Sequence, residues 1–131
     1  MDFIIMTNNP CVRDVYGSKY CVLYQDCSFN ELLFAVRDKV DKGHRLLTHP
    51  LSGSVKPNET PYKSIMISVD RGPIDFESSS LISSAITVAT DKKFEKYVER
   101  QKTFNKRILE DFQLVDYCVI TSAIESARTG L

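Results

Sequence analysis

One stretch decides the fold, because a strand pattern and a capped helix pattern follow each other within it: Tyr20-Cys21-Val22-Leu23-Tyr24, then Ser28-Phe29-Asn30-Glu31-Leu32-Leu33-Phe34-Ala35-Val36-Arg37-Asp38-Lys39-Val40-Asp41-Lys42-Gly43. The aromatic and β-branched content of 20–24 predicts a strand. Ser28 and Glu31 form a capping box, in which each side chain accepts a hydrogen bond from the other residue's amide. Apolar residues then recur at helical spacing, and Gly43 stands where a C-terminal cap belongs. We therefore expect a helix over 29–42.

The rest of the chain alternates between the same two patterns. Apolar runs predict further strands over 3–6, 64–69 and 115–121, and the run 45–47 allows a short strand. A helical stripe begins at Ser78 and continues to Leu114, either as one bent helix or as two helices that break near 103–105, and a last helical turn is expected over 122–128. Such alternation predicts a single three-layer α/β domain over 1–131, Rossmann-like, with a short, mostly parallel sheet and one long C-terminal helical stretch.

Composition and charge exclude several classes of protein. Hydrophobic residues make up 43% and charged residues 26% of the 131 positions, which is typical of a globular chain and not of a disordered one. Lys plus Arg is 17 and Asp plus Glu is 17, so the net charge of zero disfavours a globally basic nucleic-acid binder. The N-terminus has an acid and only four apolar residues where a secretory signal needs a basic start and a longer run. We expect a cytoplasmic protein without a membrane span.

The four cysteines form no CxxC pair and match no common zinc spacing. Cys21 and Cys118 lie inside apolar runs and are expected to be buried fillers. Cys11 and Cys27 lie near strand ends, where exposure and a redox role both stay open.

The stretch 48–62 is the densest group of chemically useful residues. It holds three prolines and no period, and loops of this length within a domain are usually functional. His49 is the candidate catalytic acid, base or ligand, and Lys56 supplies a positive charge. The other candidates offer amides, hydroxyls and carboxylates to a ligand or partner: Ser52, Gly53, Ser54, Asn58, Glu59 and Thr60. The alternative is a loop that only packs against its own domain.

Two further segments are candidates by position or charge. Asn8 and Asn9 follow the first predicted strand, which is a ligand-binding position in open α/β sheets and also an ordinary turn. The basic stretch 92–107 could bind RNA, DNA or an acidic partner, but it is more typical of the solvated face of a helix.

Standard cofactor and metal motifs are missing. Neither GxxxxGK[ST] nor GxGxxG is present, and no cofactor is identified. His44, His49 and Glu59 lack the spacing of a metal site, and His44 is expected to interact with the end of the helix before it. Asp70, Asp75 and Asp116 are interpreted as caps at element edges, so no acid–base pair is assigned.

The longest distinctive segment, Leu46-Leu47-Thr48-His49-Pro50-Leu51-Ser52-Gly53-Ser54-Val55-Lys56-Pro57-Asn58-Glu59-Thr60-Pro61-Tyr62-Lys63-Ser64, resembles the signature of the GrdX family. The same family resemblance extends to three shorter segments: Thr7-Asn8-Asn9-Pro10, Val36-Arg37-Asp38 before Gly43-His44, and Ser122-Ala123-Ile124-Glu125. Members are small proteins encoded beside the glycine, sarcosine and betaine reductases of anaerobes that ferment amino acids. Those reductases use a selenoprotein and thiol chemistry, draw electrons through thioredoxin and make acetyl phosphate.

The resemblance implies a cytoplasmic accessory protein that assists assembly, maturation or regulation of such a reductase complex, with reductase subunits as partners. It assigns no catalytic residue. The alternative hypothesis is a small-molecule enzyme or sensor that binds an amino-acid carboxylate or acyl phosphate at 48–60, held by Lys56 and the Ser-Gly-Ser amides. A homodimer is the default among oligomers.

Overall fold

The computed structural model describes residues 2–53 and 55–129. Its elements in chain order are β1 Phe3–Thr7, α1 Pro10–Tyr16, β2 Cys21–Tyr24, α2 Phe29–Asp41, β3 Ser64–Ser68, α3 Phe76–Ala89, a 3-10 turn Lys92–Phe94, α4 Glu95–Gln101 and α5 Lys106–Arg128. The chain is therefore a mixed α/β protein, as predicted.

The sheet has the order β2-β1-β3 and is mixed. β1 runs parallel to β2, with Ile4 opposite Cys21, and antiparallel to β3, with Phe3 opposite Ser68. The prediction of a mostly parallel sheet is wrong. The chain at Leu46, after α2, does run parallel to β1. Leu46 forms an antiparallel bridge with Ile67 of β3, and β3 is itself antiparallel to β1. The segment 49–63 then turns the chain back, so that β3 enters between this bridge and β1 in the opposite direction.

Both faces of the sheet are covered by helices. On one face Met6, Ile65 and Ile67 pack with apolar residues of α2 and α3: Leu32, Leu33, Val36, Val40, Ile82 and Ala89. On the other face Phe3, Ile5 and Met66 pack with residues of α1 and α5: Val12, Tyr16, Ile120 and Ile124. Alternate side chains of a strand point to opposite faces, so β1 and β3 contribute to both clusters. Because both faces of these strands are buried, their sequences are nearly continuous apolar runs and do not alternate with polar residues.

The ends of α2 confirm the local signals in the sequence. Ser28 Oγ accepts from the amide of Glu31 at 3.1 Å, and Glu31 Oε1 accepts from the amide of Ser28 at 2.9 Å. Gly43 follows the helix with φ +101°, and its amide donates to the carbonyl of Val40. The amide of His44 donates to the carbonyl of Lys39, while its ring Nδ1 lies 2.7 Å from the carbonyl of Ser68 at the end of β3. These bonds fix the direction in which the chain leaves α2 and enters the segment that begins at His44.

The C-terminal helical stretch is divided more often than predicted. Of the two alternatives, the divided helix is the one observed, since α4 ends at Gln101 and α5 begins at Lys106, and a further break separates α3 from α4 at 90–94. The predicted strand over 115–121 is wrong, because these residues lie inside α5. Asp116, Ile120 and Ile124 form the buried stripe of this helix at a spacing of four residues. Burial of that stripe against the sheet outweighs the local strand preference of the apolar run.

Within the described ranges, no helix combines the length and apolar character that a membrane crossing requires.

Candidate functional site

A small cavity of about 30 Å³ lies between the segment 51–63 and α5. Its apolar lining comes from Phe29, Leu51, Val55, Phe112, Val115 and Val119, and its remaining lining from Ser52, Gly53, Thr60, Tyr62, Lys63 and Asp116. This volume holds about two water molecules, so it admits one small group and not a whole cofactor.

Lys63 brings a buried amine to this cavity. The residue is only 5% exposed, and its Nζ donates to the carbonyl of Ser52 at 2.6 Å and lies 3.3 Å from Ser52 Oγ. No carboxylate lies within 4.0 Å of this Nζ in the described part of the chain. Burial lowers the pKa of Lys63, and the negative charge of Asp116 acts in the opposite direction.

Asp116 joins the cavity wall to the sheet. Its Oδ1 accepts from the amide of Ser64 at 3.0 Å, and its Oδ2 accepts from Ser64 Oγ at 2.7 Å and from Asn9 Nδ2 at 3.0 Å. A buried carboxylate is stable only when such donors replace water. The expectation that Asp116 caps an element edge is wrong, since it lies in the middle of α5. Asp75, by contrast, does cap α3 by accepting from the amide of Ser78.

Asn8 and Asn9 are buried, and their amide groups bind the protein itself. Asn8 Nδ2 donates to the carbonyls of Cys27 and Pro61, and Asn8 Oδ1 accepts from the amide of Lys63 at 2.8 Å. Asn9 Oδ1 accepts from the amide of Cys11 and so caps α1, while its Nδ2 also donates to the carbonyl of Gln113. The turn after β1 therefore fastens the segment 59–63 and α5 in place.

Asn58 has a similar anchoring role on the other side of the loop. It adopts φ +65°, and its Nδ2 donates to Asn30 Oδ1 and to the carbonyl of Ala89, both at 3.0 Å. Gln101 Nε2 donates to the carbonyl of Asn58 at 2.6 Å. One residue thus ties the loop to α2, α3 and α4, in a backbone conformation that Asn tolerates better than most residues.

The exposed part of the loop carries His49 and Lys56. His49 Nδ1 accepts from the amide of Leu51 at 3.1 Å, and Glu59 Oε1 accepts from the amide of Lys56 at 3.3 Å. Thr60 Oγ1 accepts from the amide of Tyr62. Lys56 lines an open depression together with Lys93, Phe94, Lys96 and Tyr97.

The structure therefore divides the predicted site. Ser52, Gly53 and Thr60 line the cavity, and Lys56 lines the depression. The remaining described candidates line neither: Asn8, Asn9, His49, Asn58 and Glu59. Ser54 lies outside the described residues.

Sequence reasoning missed Lys63 and Asp116. The one available signal was a charged residue within or beside an apolar run, since Lys63 precedes 64–69 and Asp116 lies inside 115–121. A titratable group that lines a cleft and has its pKa shifted by burial, as Lys63 does, is a candidate for a functional site.

All four cysteines are free thiols. Cys21 and Cys118 are exposed, so the prediction that they are buried fillers is wrong: Cys21 lies on the edge strand β2, and Cys118 lies on the outer side of α5. Burial raises the pKa of Cys27 to about 11, and burial also raises the pKa of the partly buried Cys11.

Within residues 2–53 and 55–129, there is no group of three or more His, Cys, Asp or Glu side chains that could hold a metal ion.

Comparison with known proteins gives one match. A family model described as GrdX-like protein matches residues 4–125, a span that includes the cavity, the loop and the depression. Searches of curated proteins and of solved structures returned no match.

Proposed function

The chain belongs to the GrdX-like family, and from this membership we propose that it is an accessory protein of a glycine, sarcosine or betaine reductase complex. It assists assembly, maturation or regulation of that complex through binding to a reductase subunit. The match over residues 4–125 is the observation that carries this proposal, because the family is named for its genes' position beside those of the reductases.

The geometry of the loop supports a binding role. The side chains of Asn8, Asn58 and Lys63 fasten the loop to the body of the protein. His49 and Lys56 stay exposed on its outer side. A loop that is held from inside and free outside loses little conformational entropy when a partner binds it.

The proposed role suits a single cytoplasmic domain of three layers, acting alone or as a homodimer. The covering of both sheet faces supports the layered arrangement. Light scattering after gel filtration tests the oligomeric state: a mass of one or two chains is expected, and a larger assembly contradicts it.

The test of the proposed function is capture of partners under anaerobic, reducing conditions. A tagged chain is expressed in a glycine-grown host and bound proteins are identified by mass spectrometry. Reductase subunits should bind the native chain, and a His49→Ala/Lys56→Ala variant should capture less of them. Both side chains are exposed, but the change removes the hydrogen bond that His49 Nδ1 accepts from the amide of Leu51, so circular dichroism checks that the variant is folded. Absence of reductase subunits from the native capture overturns the proposal.

The second candidate function is binding of a small carboxylate or acyl phosphate. The cavity supports it, because Lys63 and Asp116 both line this space and no carboxylate lies within ion-pair distance of the Lys63 ammonium in the described residues. The anion-binding residue is then Lys63 and not Lys56, which does not line this space. Calorimetry with acetate, glycine and acetyl phosphate tests this candidate. Lys63→Met should abolish binding and Lys56→Ala should retain it, whereas absence of binding by the native chain rules the candidate out.

A further inference from the structure

The depression beside Lys56 is built by two distant segments of the chain. Lys56 comes from the loop, while Lys93, Phe94, Lys96 and Tyr97 come from the 3-10 turn and the start of α4. The depression encloses about 330 Å³ and is open to solvent on one side. It unites the positive charge of the loop with the basic stretch 92–107.

Hydrogen bonds keep the two segments together. Gln101 of α4 donates to the carbonyl of Asn58 at 2.6 Å, two positions after Lys56, and Asn58 Nδ2 donates to the carbonyl of Ala89 at the end of α3. The rings of Phe94 and Tyr97, which both line the depression, stack with centroids 6.0 Å apart. The surface is therefore formed before any partner arrives.

The positive charges of this surface lack negative partners. Lys93 Nζ lies 5.2 Å from the centre of the Phe94 ring, Lys96 Nζ lies 5.2 Å from that of Tyr97, and Arg100 Cζ lies 5.5 Å from the same Tyr97 ring. In the described residues, the ion pairs use other cations: Arg13, Lys102 and Lys106.

The neighbouring acids do not line the depression. Glu59 Oε1 accepts from the amide of Lys56, Asp91 Oδ1 accepts from the amide of Lys93, Glu99 pairs with Lys102, and Glu95 is exposed to solvent. The lining holds three lysines and no carboxylate, so the depression is a local positive excess in a chain without net charge. Such an excess attracts an acidic partner and fixes its orientation.

We propose that this depression is the docking site for an acidic segment of a partner protein, with partner carboxylates on Lys56, Lys93 and Lys96. The inference deepens the proposed function, because it assigns the surface that a reductase subunit recognises. A protein segment suits the site better than nucleic acid. Cations already lie over the rings of Phe94 and Tyr97, which leaves less ring surface for a base to stack on. Three lysines line the depression, whereas a nucleic-acid groove contacts a longer run of phosphates.

The direct test uses a labelled peptide of about eight Glu and Asp residues with one central Phe, measured by fluorescence anisotropy at low salt. The native chain should bind it, and Lys93→Glu/Lys96→Glu should weaken binding by about tenfold or more. Lys102→Glu/Lys106→Glu is the matched control: it changes the net charge equally, and neither residue lines the depression. The control should stay within about twofold of the native affinity.

Three results overturn the inference: no binding by the native chain, equal loss in both variants, or tighter binding of a single-stranded oligonucleotide at the same residues. Circular dichroism checks that the variants are folded, and Lys93→Gln/Lys96→Gln replaces Lys93→Glu/Lys96→Glu if the latter is not folded.

The same variants in the reductase capture separate this inference from the proposed function. Capture that survives Lys93→Glu/Lys96→Glu overturns the docking site alone, whereas a native chain that captures no reductase overturns the proposed function even if the acidic peptide binds.

Discussion

Asp116 and Ser64 are joined by two hydrogen bonds, of 3.0 and 2.7 Å, although 52 positions separate them in the sequence. The bonds fix the middle of α5 at the point where the chain leaves the loop and enters β3. Asn9 donates to the same carboxylate, so the end of β1 and the start of α1 belong to this junction as well. The polar residues after β1 thus position the cavity wall.

Replacement of Asp116 by Asn should destabilise the protein strongly. The side-chain amide introduced by Asp116→Asn would place a donor against either the Ser64 or the Asn9 donors, which leaves buried groups unpaired. We expect a loss of about 3 kcal/mol in the free energy of unfolding. Urea unfolding at pH 7 measures it, with Asp111→Asn, on the exposed side of α5, as the control. Equal stability of the two variants would show that the junction contributes nothing.

The buried amine of Lys63 should make stability depend on pH. Its pKa in the folded state is lowered by burial from the ordinary 10.5, so folding opposes protonation. Below the pKa of Lys63 in the folded state, the folded protein is destabilised by the full cost of the buried charge. This cost disappears as the pH rises from that pKa to the ordinary pKa of Lys, because the unfolded chain binds more protons than the folded one in that range. The native chain should therefore gain stability relative to Lys63→Met as the pH rises toward the ordinary pKa of 10.5.

Urea unfolding at a series of pH values measures this difference. Lys56→Met is the control: its side chain is exposed, so it should follow the native chain across the range. A constant difference between native and Lys63→Met would contradict the buried-amine interpretation.

Thiol reagents should separate the four cysteines by exposure. With a pKa of about 11, only about one Cys27 thiol in a thousand is ionised at pH 8, and the thiolate is the reacting form. Exposed Cys21 and Cys118 should therefore be alkylated first, and Cys27 last. Peptide mapping after timed iodoacetamide treatment gives the order, and rapid modification of Cys27 would refute its burial.

Two glycines with positive φ should differ in their tolerance of a methyl group. A Cβ on Gly43 would clash with the carbonyl oxygen of Gly72, whereas a Cβ on Gly53 would meet only Val119 Cγ2, at 3.7 Å. Both alanine variants bear the strain of φ near +100°, of about 1 kcal/mol. Gly43→Ala should therefore lower the melting temperature much further than Gly53→Ala, and equal melting temperatures would contradict the clash.

Local signals predicted the parts of the fold that local chemistry determines. The capping box and Gly43 specify α2 from within about fifteen residues, and the structure confirms them. The run 115–121 carries no such signal, because a short apolar run fits a strand and a buried helix equally well. Its helical state depends on contacts of Ile120 and Ile124 with the distant sheet.

The direction of β3 and the make-up of the site depend on long-range contacts in the same way. Nothing near 64–68 in the sequence indicates that this strand enters antiparallel to β1. The loop 48–62 is distinctive in composition, but its cavity needs Asp116 from α5 and its depression needs Lys93 and Lys96 from another segment. Sequence reasoning identified the loop and could not identify what faces it.

The most direct test of the central proposal is sedimentation of the purified chain mixed with a purified glycine, sarcosine or betaine reductase complex, under anaerobic and reducing conditions. The proposal predicts that the chain sediments with a reductase subunit, and that Lys93→Glu/Lys96→Glu shifts it back to the free species while Lys102→Glu/Lys106→Glu does not. A native chain that sediments alone with every reductase, at every ratio, would contradict the proposal.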